Sequence, residues 1–461
     1  MFKSYPQAYQ YLCRFTDYEK MTRFHYNRQT FDLRRMRQLM ALVGNPQNSL
    51  RLIHIAGTKG KGSTAIILSR LLELAGYKVG LFTSPHLISL QERIQINGVH
   101  ISKKSFTEMM NRLHHFSLPR LTSNIQLLTS SVNPTFFELI TAVAFLYFHQ
   151  QKVDFAVMEV GLGGRMDATN IITPLASVIT TIDFDHMDKL GYSLAKIAGE
   201  KAGIIKKSVP VFCAENENTV RQVIKKTARA KQSLLYLVGK DIKITQCRNS
   251  DPADSGTSKF SSVFNLKTPF HHYRHLKLSL PGKHQVQNTA LALGVIDYLR
   301  HKKIIRIQPA AIKKTLRQII LPGRIEVVKK SPDLILDGAH NPVSIRALKE
   351  TISRSFKYKK LILILAISRD KETDKILNLI LPISDVIILT KTGHPRLWEP
   401  LELVPQIPGH FFSRPVFLEP NPKKALLIAE TLSSKKDLIL VTGSFYLAGK
   451  IKEILTTDYT D

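Results

Sequence analysis

Residues 51–80 read RLIHIAGTKGKGSTAIILSRLLELAGYKVG. Leu52–Ala56 is an apolar run of the length of a buried strand, and the helical pattern after Ser63 stops at Gly76. Between them lies Gly57-Thr58-Lys59-Gly60-Lys61-Gly62-Ser63-Thr64. Strand, glycine loop and helix in that order form a phosphate cradle. The glycines let backbone N–H groups turn toward an anion, and the helix N-terminus adds partial positive charge. Lys61 is placed to reach the outer phosphates. The loop is not a strict Walker A sequence, because Gly62 separates Lys61 from Ser63. The whole stretch, residues 57–64, predicts a nucleoside-triphosphate site.

Working outward, residues 1–50 read as helical, with Asp32–Leu42 at helical spacing. Lys78–Thr83 reads as a strand, Gln91–Asn97 as extended, Ser105–Phe116 as helix and Ser117–Asn133 as loop. A helix from Pro134 to about Gln151 precedes the buried strand Val153–Val160, which ends in GLGGRMDATN. That glycine group lacks the final glycine of a dinucleotide fingerprint. Buried strands and helices alternate to residue 231, which predicts a parallel sheet with helices on both faces. Ligands of such sheets sit beyond the carboxyl ends of the strands, and every motif here lies at such an end. Short alternating runs at Ile242–Gln246, Ser262–Leu266 and Leu276–Leu280 predict a small appended antiparallel sheet, with Asn249–Ser258 among its turns. After Leu321-Pro322-Gly323-Arg324 a second α/β run begins, with no glycine-lysine cradle. The expected architecture is therefore α/β. A P-loop-containing parallel-sheet domain with its appended antiparallel sheet spans 1–320, and a smaller α/β (Rossmann-like) domain that closes over it spans 321–461.

Bulk properties narrow the class. The chain has 461 residues, 44% of them hydrophobic, and three widely spaced cysteines, which suits a reducing cytoplasm and disfavours a disulfide frame or zinc site. The longest helical apolar stretch, Phe136–Phe148, contains Glu138 and is too short to span a bilayer, so no membrane association is expected. A formal charge of +30 fits either a nucleic-acid binder or an enzyme that handles polyanions. Lysines and arginines are spread along the chain rather than gathered into one block, so nucleic acid is not the expected ligand.

The motifs together resemble the folylpolyglutamate synthase/dihydrofolate synthase family of the Mur-ligase superfamily. They are HIAGTKGKGST at 54–64, TSPHL at 83–87, ERIQING at 92–98, TFFELITA at 135–142 and MEVGLGGRMDATN at 158–170. They continue as DFDHMDKLG at 183–191, EKAGIIK at 200–206, LPGR at 321–324, DGAHNP at 337–342 and GSFYLAG at 443–449. The resemblance implies an ATP-dependent ligase joining L-glutamate to dihydropteroate or to the glutamyl tail of reduced folates through an acyl phosphate. It implies Ser84, Glu159 and His186 as magnesium ligands, with two ions expected, and Lys201 as a carbamate carrier. It implies nucleotide contacts at Asn288, Arg324 and Asp337, and places His340 near the reacting groups. Pterin contacts are implied at Thr135, Phe136, Phe137, Met166, Asp167 and Ala168, and the Met21–Phe24 segment also resembles a pteroate-binding part. A monomer acting on both acceptors is the family expectation, although Lys59 stands where bacterial members commonly carry asparagine.

On the residues alone, a carboxylate ending a buried strand is often merely solvated at the sheet rim, and a loop histidine such as His186 is more often packed than liganding. Asp337-Gly338 also reads as a turn and Asn341 as a helix cap. Rival readings are another amino-acid ligase of the same superfamily and a basic ATPase that binds nucleic acid.

Overall fold

The computed structural model describes residues 1–21, 24–27, 30–123, 134–249 and 261–457. Thr22 and Arg23 of the expected Met21–Phe24 contact, residues 124–133 of the expected loop and residues 250–258 of the expected turn lie outside them.

Eight strands form the first sheet: β1 (Leu52–Ala56), β2 (Val79–Phe82), β3 (Ile94–Ile96), β4 (Val99–His100), β5 (Phe155–Glu159), β6 (Ala176–Ile179), β7 (Val211–Cys213) and β8 (Leu235–Leu237). Their order is β4-β3-β2-β5-β1-β6-β7-β8, parallel except near one edge, where β3 runs antiparallel to both β2 and β4. β1 and β5 are buried along their whole length, because helices cover both faces. Lys61–Leu74 and Lys283–His301 pack on one face, and Leu33–Leu42 and Phe136–Gln150 pack on the other. β1 lies between β5 and β6, so the chain leaves neighbouring strands in different directions and opens a crevice at their carboxyl ends.

The appended sheet is β9 (Lys243–Asn249), β10 (Ser262–Lys267) and β11 (His272–Leu278), antiparallel throughout. Its inner residues Phe264, Leu266, Tyr273 and Leu276 join the core under Lys283–His301. A third sheet takes β12 (Glu326–Lys329), β13 (Asp333–Leu336), β14 (Leu361–Leu365), β15 (Val386–Leu389), β16 (Val416–Leu418) and β17 (Leu438–Thr442) in the order β12-β13-β17-β14-β15-β16. Only β12 is antiparallel there, and an apolar core fills each face. No helix among the described residues is long and apolar enough to cross a membrane.

Four local readings change. Of residues 1–50, read as helical, only Tyr5–Leu12, Leu33–Leu42 and the 3-10 turn Pro46–Ser49 are so among the described residues. The first half of Gln91–Asn97 is a 3-10 turn, Leu90–Arg93, because Ser89 and Glu92 form a capping box and the Glu92 carboxylate accepts from the N–H groups of Leu87, Ile88 and Ser89. The helix expected over Ser105–Phe116 runs from Lys103 to Ser123, taking in the start of the expected loop. The edge strands β4, β8, β12 and β16 were not expected; each is short, and none carries a fully buried apolar run.

Leu440 is fully buried at the centre of β17, between β13 and β14. Leu440→Ala is expected to lower the stability of this lobe by about 2–5 kcal/mol, read as a shift in its chemical denaturation midpoint.

Candidate active site

The loop after β1 is fixed by close approach. Gly60 has φ +84°, and a Cβ there would lie 2.3 Å from the Asn288 side-chain oxygen. A Cβ on Gly57 would lie 1.8 Å from Thr180 Oγ1. Only glycine permits either contact. The backbone N–H groups of Thr58 and Lys59 donate to the Thr181 carbonyl at 2.9 and 3.1 Å. The Lys59 ammonium pairs with Asp185 Oδ2 at 3.0 Å. These two residues therefore hold the loop to the end of β6, and their N–H groups are not free for an anion as the sequence reading supposed. What stays open is the first turn of Lys61–Leu74, where N–H groups precede the first helical bond, Thr64 N–H to the Gly60 carbonyl. Lys61 itself has no ion pair or hydrogen bond among the described residues. It lines a cleft of about 470 Å³ between the two lobes.

Glu159 ends β5, 3% exposed, and its Oε2 accepts from the Ser84 N–H at 3.1 Å. Burial pushes its pKa up, while Lys61, that N–H group and Arg324 oppose the rise. A Cβ on Gly62 would sit 3.3 Å from the same carboxylate, so the acid faces the loop. His186 follows β6 with its side chain 40% exposed. Loss of water in the cleft, then Lys371, Lys189 and Lys201, bring its pKa down to about 4 against the pull of Asp185. Burial would raise the Asp185 carboxyl, but Lys59, His186 and Lys371 hold it well below the usual range.

Lys201, on Leu194–Ala202, is buried and donates to the Gly57 carbonyl at 2.9 Å. Burial first, then Lys61 and Lys59, push its pKa down to about 7, with Asp185 opposing. It supports the loop from behind and does not line the cleft, and neither do Gly57 and Thr64.

The second lobe supplies the facing wall. The Arg324 guanidinium lies 4.1 Å from the Phe445 ring centroid, near Asp337 and Glu159. Asp337 directly follows β13 and accepts from the N–H groups of Ala339 and Ile325, both at 2.8 Å. His340 Nδ1 lies 2.8 Å from the Gly338 carbonyl, which can only accept, so the neutral ring carries its proton there and leaves Nε2 as a free acceptor. Burial, with Lys59 and Lys371, brings its pKa down to about 3. Asn341 caps the helix Pro342–Ser355.

The cleft is also lined by Thr135, Phe137, Met166, Asp167 and Ala168. Thr135 caps the helix Phe136–Gln150 in a reciprocal bond with Glu138. Phe137 packs so tightly on Gly161 that a Cβ there would lie 2.6 Å from its ring. Phe136 differs from its neighbour: it is 3% exposed, points into the core and does not line the cleft. Asp167 already accepts four hydrogen bonds, from the N–H groups of Gly161, Leu162 and Thr169 and from the Thr169 hydroxyl. Buried His54 continues this chain, its Nε2 lying 2.8 Å from Thr169 Oγ1. Asp167 is thus first of all the brace of its own loop.

Several lining residues were not anticipated: Tyr18, Glu19, Lys189, Lys371, Arg396 and Tyr446. Tyr446 falls inside the GSFYLAG stretch and Lys189 inside DFDHMDKLG, so both motifs carried a signal. Lys371 and Arg396 stand in loops with no motif to mark them.

Among the described residues no three His, Cys, Asp or Glu side chains converge as a metal cage. Ser84, Glu159 and His186 offer a hydroxyl, a buried carboxylate with a single recorded bond and an imidazole. The three line one cleft; the hydroxyl and the carboxylate suit a magnesium ion that takes the rest of its shell from phosphate and water, whereas an imidazole is a softer donor than magnesium ordinarily takes.

Two family profiles match, the Mur ligase middle domain over residues 55–296 and the Mur ligase glutamate ligase domain over residues 323–445. The chain is similar to the dihydrofolate synthase/folylpolyglutamate synthase of Bacillus subtilis, 34% identical over 448 residues covering 96% of this chain and 100% of that one. It is similar also to the dihydrofolate synthetase of Saccharomyces cerevisiae, 31% identical and covering 92% of this chain and 97% of that one. The structure of Mycobacterium tuberculosis folylpolyglutamate synthase complexed with ADP superimposes with a TM-score of 0.86 at 29% identity, covering 98% of each chain. Fold, motif order and full-length identity agree: the chain belongs to the dihydrofolate synthase/folylpolyglutamate synthase family of ATP-dependent Mur-type ligases.

Proposed function

We propose that this enzyme joins the amino group of L-glutamate to the carboxylate of dihydropteroate and to the terminal γ-carboxylate of reduced folates, with ATP as co-substrate. One observation carries the reading. Lys61 with an open helix N-terminus, and Arg324 with Asp337 from the other lobe, face one cleft that Phe24, Phe31 and Phe137 also line. A polyanion fits the charged part and a flat ring the aromatic part.

The chemistry follows from the weakness of a carboxylate as acyl donor. Its oxygen attacks the γ-phosphorus of ATP, the bond to the β-phosphate oxygen breaks, and ADP leaves. The glutamate amine then attacks the acyl phosphate carbon, loses a proton, and inorganic phosphate departs. Several negative oxygens meet in the first step, so positioning and charge neutralisation dominate. Lys61 and the first-turn N–H groups bind β- and γ-phosphates, and Arg324 closes on the nucleotide with Asn288 and Asp337. His340 presents Nε2 as an acceptor for the amine N–H. Ser84, Glu159 and His186 would hold magnesium, one or two ions, which supplies charge neutralisation to the phosphates when bound. Phe137, Met166 and Ala168 form the pterin end, with Asp167 setting the loop.

Lys201 is proposed to react with carbon dioxide as a free amine. A nitrogen–carbon bond forms, one proton leaves to water, and an anion replaces the neutral amine behind the loop. The sign follows from the lowered pKa of about 7. Below it the group is an ammonium and unreactive; above it the amine is free.

The reading is tested by incubating the protein with Mg-ATP, L-glutamate and either dihydropteroate or tetrahydrofolate and weighing the products. A gain of one glutamyl residue with each acceptor is expected, and ATP hydrolysis without a new amide would overturn it. Lys61→Ala is expected to lower kcat by about 10²–10³-fold with an unchanged melting temperature; full turnover would remove Lys61 from the phosphate site. For Lys201, bicarbonate added to carbon dioxide-depleted enzyme is expected to stimulate turnover at about pH 8 and hardly at about pH 6. Isotopically labelled bicarbonate should give a carbamate signal that Lys201→Ala loses.

A further inference from the structure

Three cations that the proposed chemistry does not use line the cleft together: Lys189 from the first lobe, and Lys371 and Arg396 from the second. The Lys189 side chain is 10% exposed, lies 4.1 Å from the Phe24 ring centroid, and meets the outward-facing Asp188 at 3.8 Å, with Asp370 also close enough to favour its charge. Lys371 pairs with Asp370 at 3.2 Å. Arg396 donates through Nη2 to the carbonyls of Glu19 and Met21, while its Nε is buried with no hydrogen-bond partner. Burial first, then Arg396 and Lys371, disfavour the Lys189 charge, while Asp188 and Asp370 favour it. Asp370 answers only part of the positive charge of these three side chains, and the buried Arg396 donor without a partner is a cost that an anion would relieve.

Position says which anion. Lys371 also neighbours Asp185, His186 and His340, at the phosphate end. Phe24 belongs to the aromatic group of Tyr18, Tyr26 and Phe31, and Tyr26 Oη lies against Gly163 in the loop that leads to Met166–Ala168. The patch therefore lies between the two ends of the cleft. An acceptor with its ring at one end and its reacting γ-carboxylate at the other must lay its earlier glutamyl units across this span. Each such unit carries an α-carboxylate that cannot stay unpaired away from water. We infer that Lys189 and Arg396, with Lys371 beside them, form a subsite for the α-carboxylates of the acceptor's glutamyl chain, so that this patch sets the preference for glutamylated folates over dihydropteroate. The inference rests on the folate-ligase reading above. The same carboxylate chemistry belongs to the incoming L-glutamate, and the test separates the two.

Lys189→Met keeps the stem over Phe24 and removes the charge; Arg396→Gln keeps a donor. For each full-length variant and the wild type, KM is measured for tetrahydropteroyltriglutamate, dihydropteroate and L-glutamate, and binding of pteroyltriglutamate and pteroate is measured by calorimetry. The KM ratio of triglutamate to dihydropteroate is expected to rise about tenfold, with calorimetric affinities moving the same way. An equal rise for both acceptors would show general damage to the cleft and overturn the inference. So would a rise confined to L-glutamate, which would assign the patch to the incoming amino acid. Wild-type protein that binds neither pteroate nor pteroyltriglutamate would instead remove the parent reading. Wild-type protein that uses both, with the ratio unmoved in the variants, sinks the subsite alone.

Discussion

The site depends on a pairing that continues past the ends of two strands. β1 and β6 are joined in register from Ile53 to Ala56, and beyond them the N–H groups of Thr58 and Lys59 still reach the Thr181 carbonyl. Lys201 holds the Gly57 carbonyl from behind, and Lys59 ties the same loop to Asp185. With the loop fixed at these points, the helix Lys61–Leu74 must start where it does, with its unpaired N–H groups facing the cleft. A slacker loop would leave the dipole and the lysine aimed at nothing in particular. Residues that seemed to be phosphate ligands are, in part, the frame that presents the ligands.

Most of the architecture could be read from sequence because parallel strands covered on both faces are unbroken apolar runs. Leu52–Ala56 and Asp333–Leu336 begin and end where that pattern does. Edge strands escaped because they pack on one side only: Leu235–Leu237 and Val416–Leu418 are partly exposed and too short to show a period. Within the site, residues at strand ends were legible because a parallel sheet puts its chemistry there. Glu159 and Asp337 are examples. Phe136 and Phe137 show the limit. Adjacent positions on a helix differ by about 100° in direction, and only the tertiary packing says which ring meets the cleft. Lys371 and Arg396 sit in loops whose course no periodicity predicts.

Asp167 makes a related point about roles. An acid between a glycine loop and a pterin-like pocket invites assignment to the ligand, yet its two oxygens are already fully engaged with its own loop. His54, buried in the middle of β1, extends that brace through Thr169. The pocket floor is thereby tied to the strand that also carries the phosphate loop, so the two ends of the cleft share one rigid element.

The chain's charge of +30 does not come from this cleft. Along its walls acids and bases are matched locally: Lys59 with Asp185, Lys371 with Asp370, and Glu19 with Arg93. Asp167 and Asp337 are matched by backbone N–H groups instead. Lys61 and Glu159 have no such arrangement; they face each other across Gly62, one without a recorded partner and the other buried with a single N–H. A cation and an anion left this way, where an open helix N-terminus meets a strand-end carboxylate, make a slot that suits a species which is itself both. Under the proposed reading, a phosphate carrying a divalent cation would satisfy each in turn, the lysine by its oxygens and the carboxylate by the cation. The neighbouring pairs Lys59–Asp185 and Lys371–Asp370 are already matched and compete little for that species. Local neutrality beside the slot is what makes its imbalance selective.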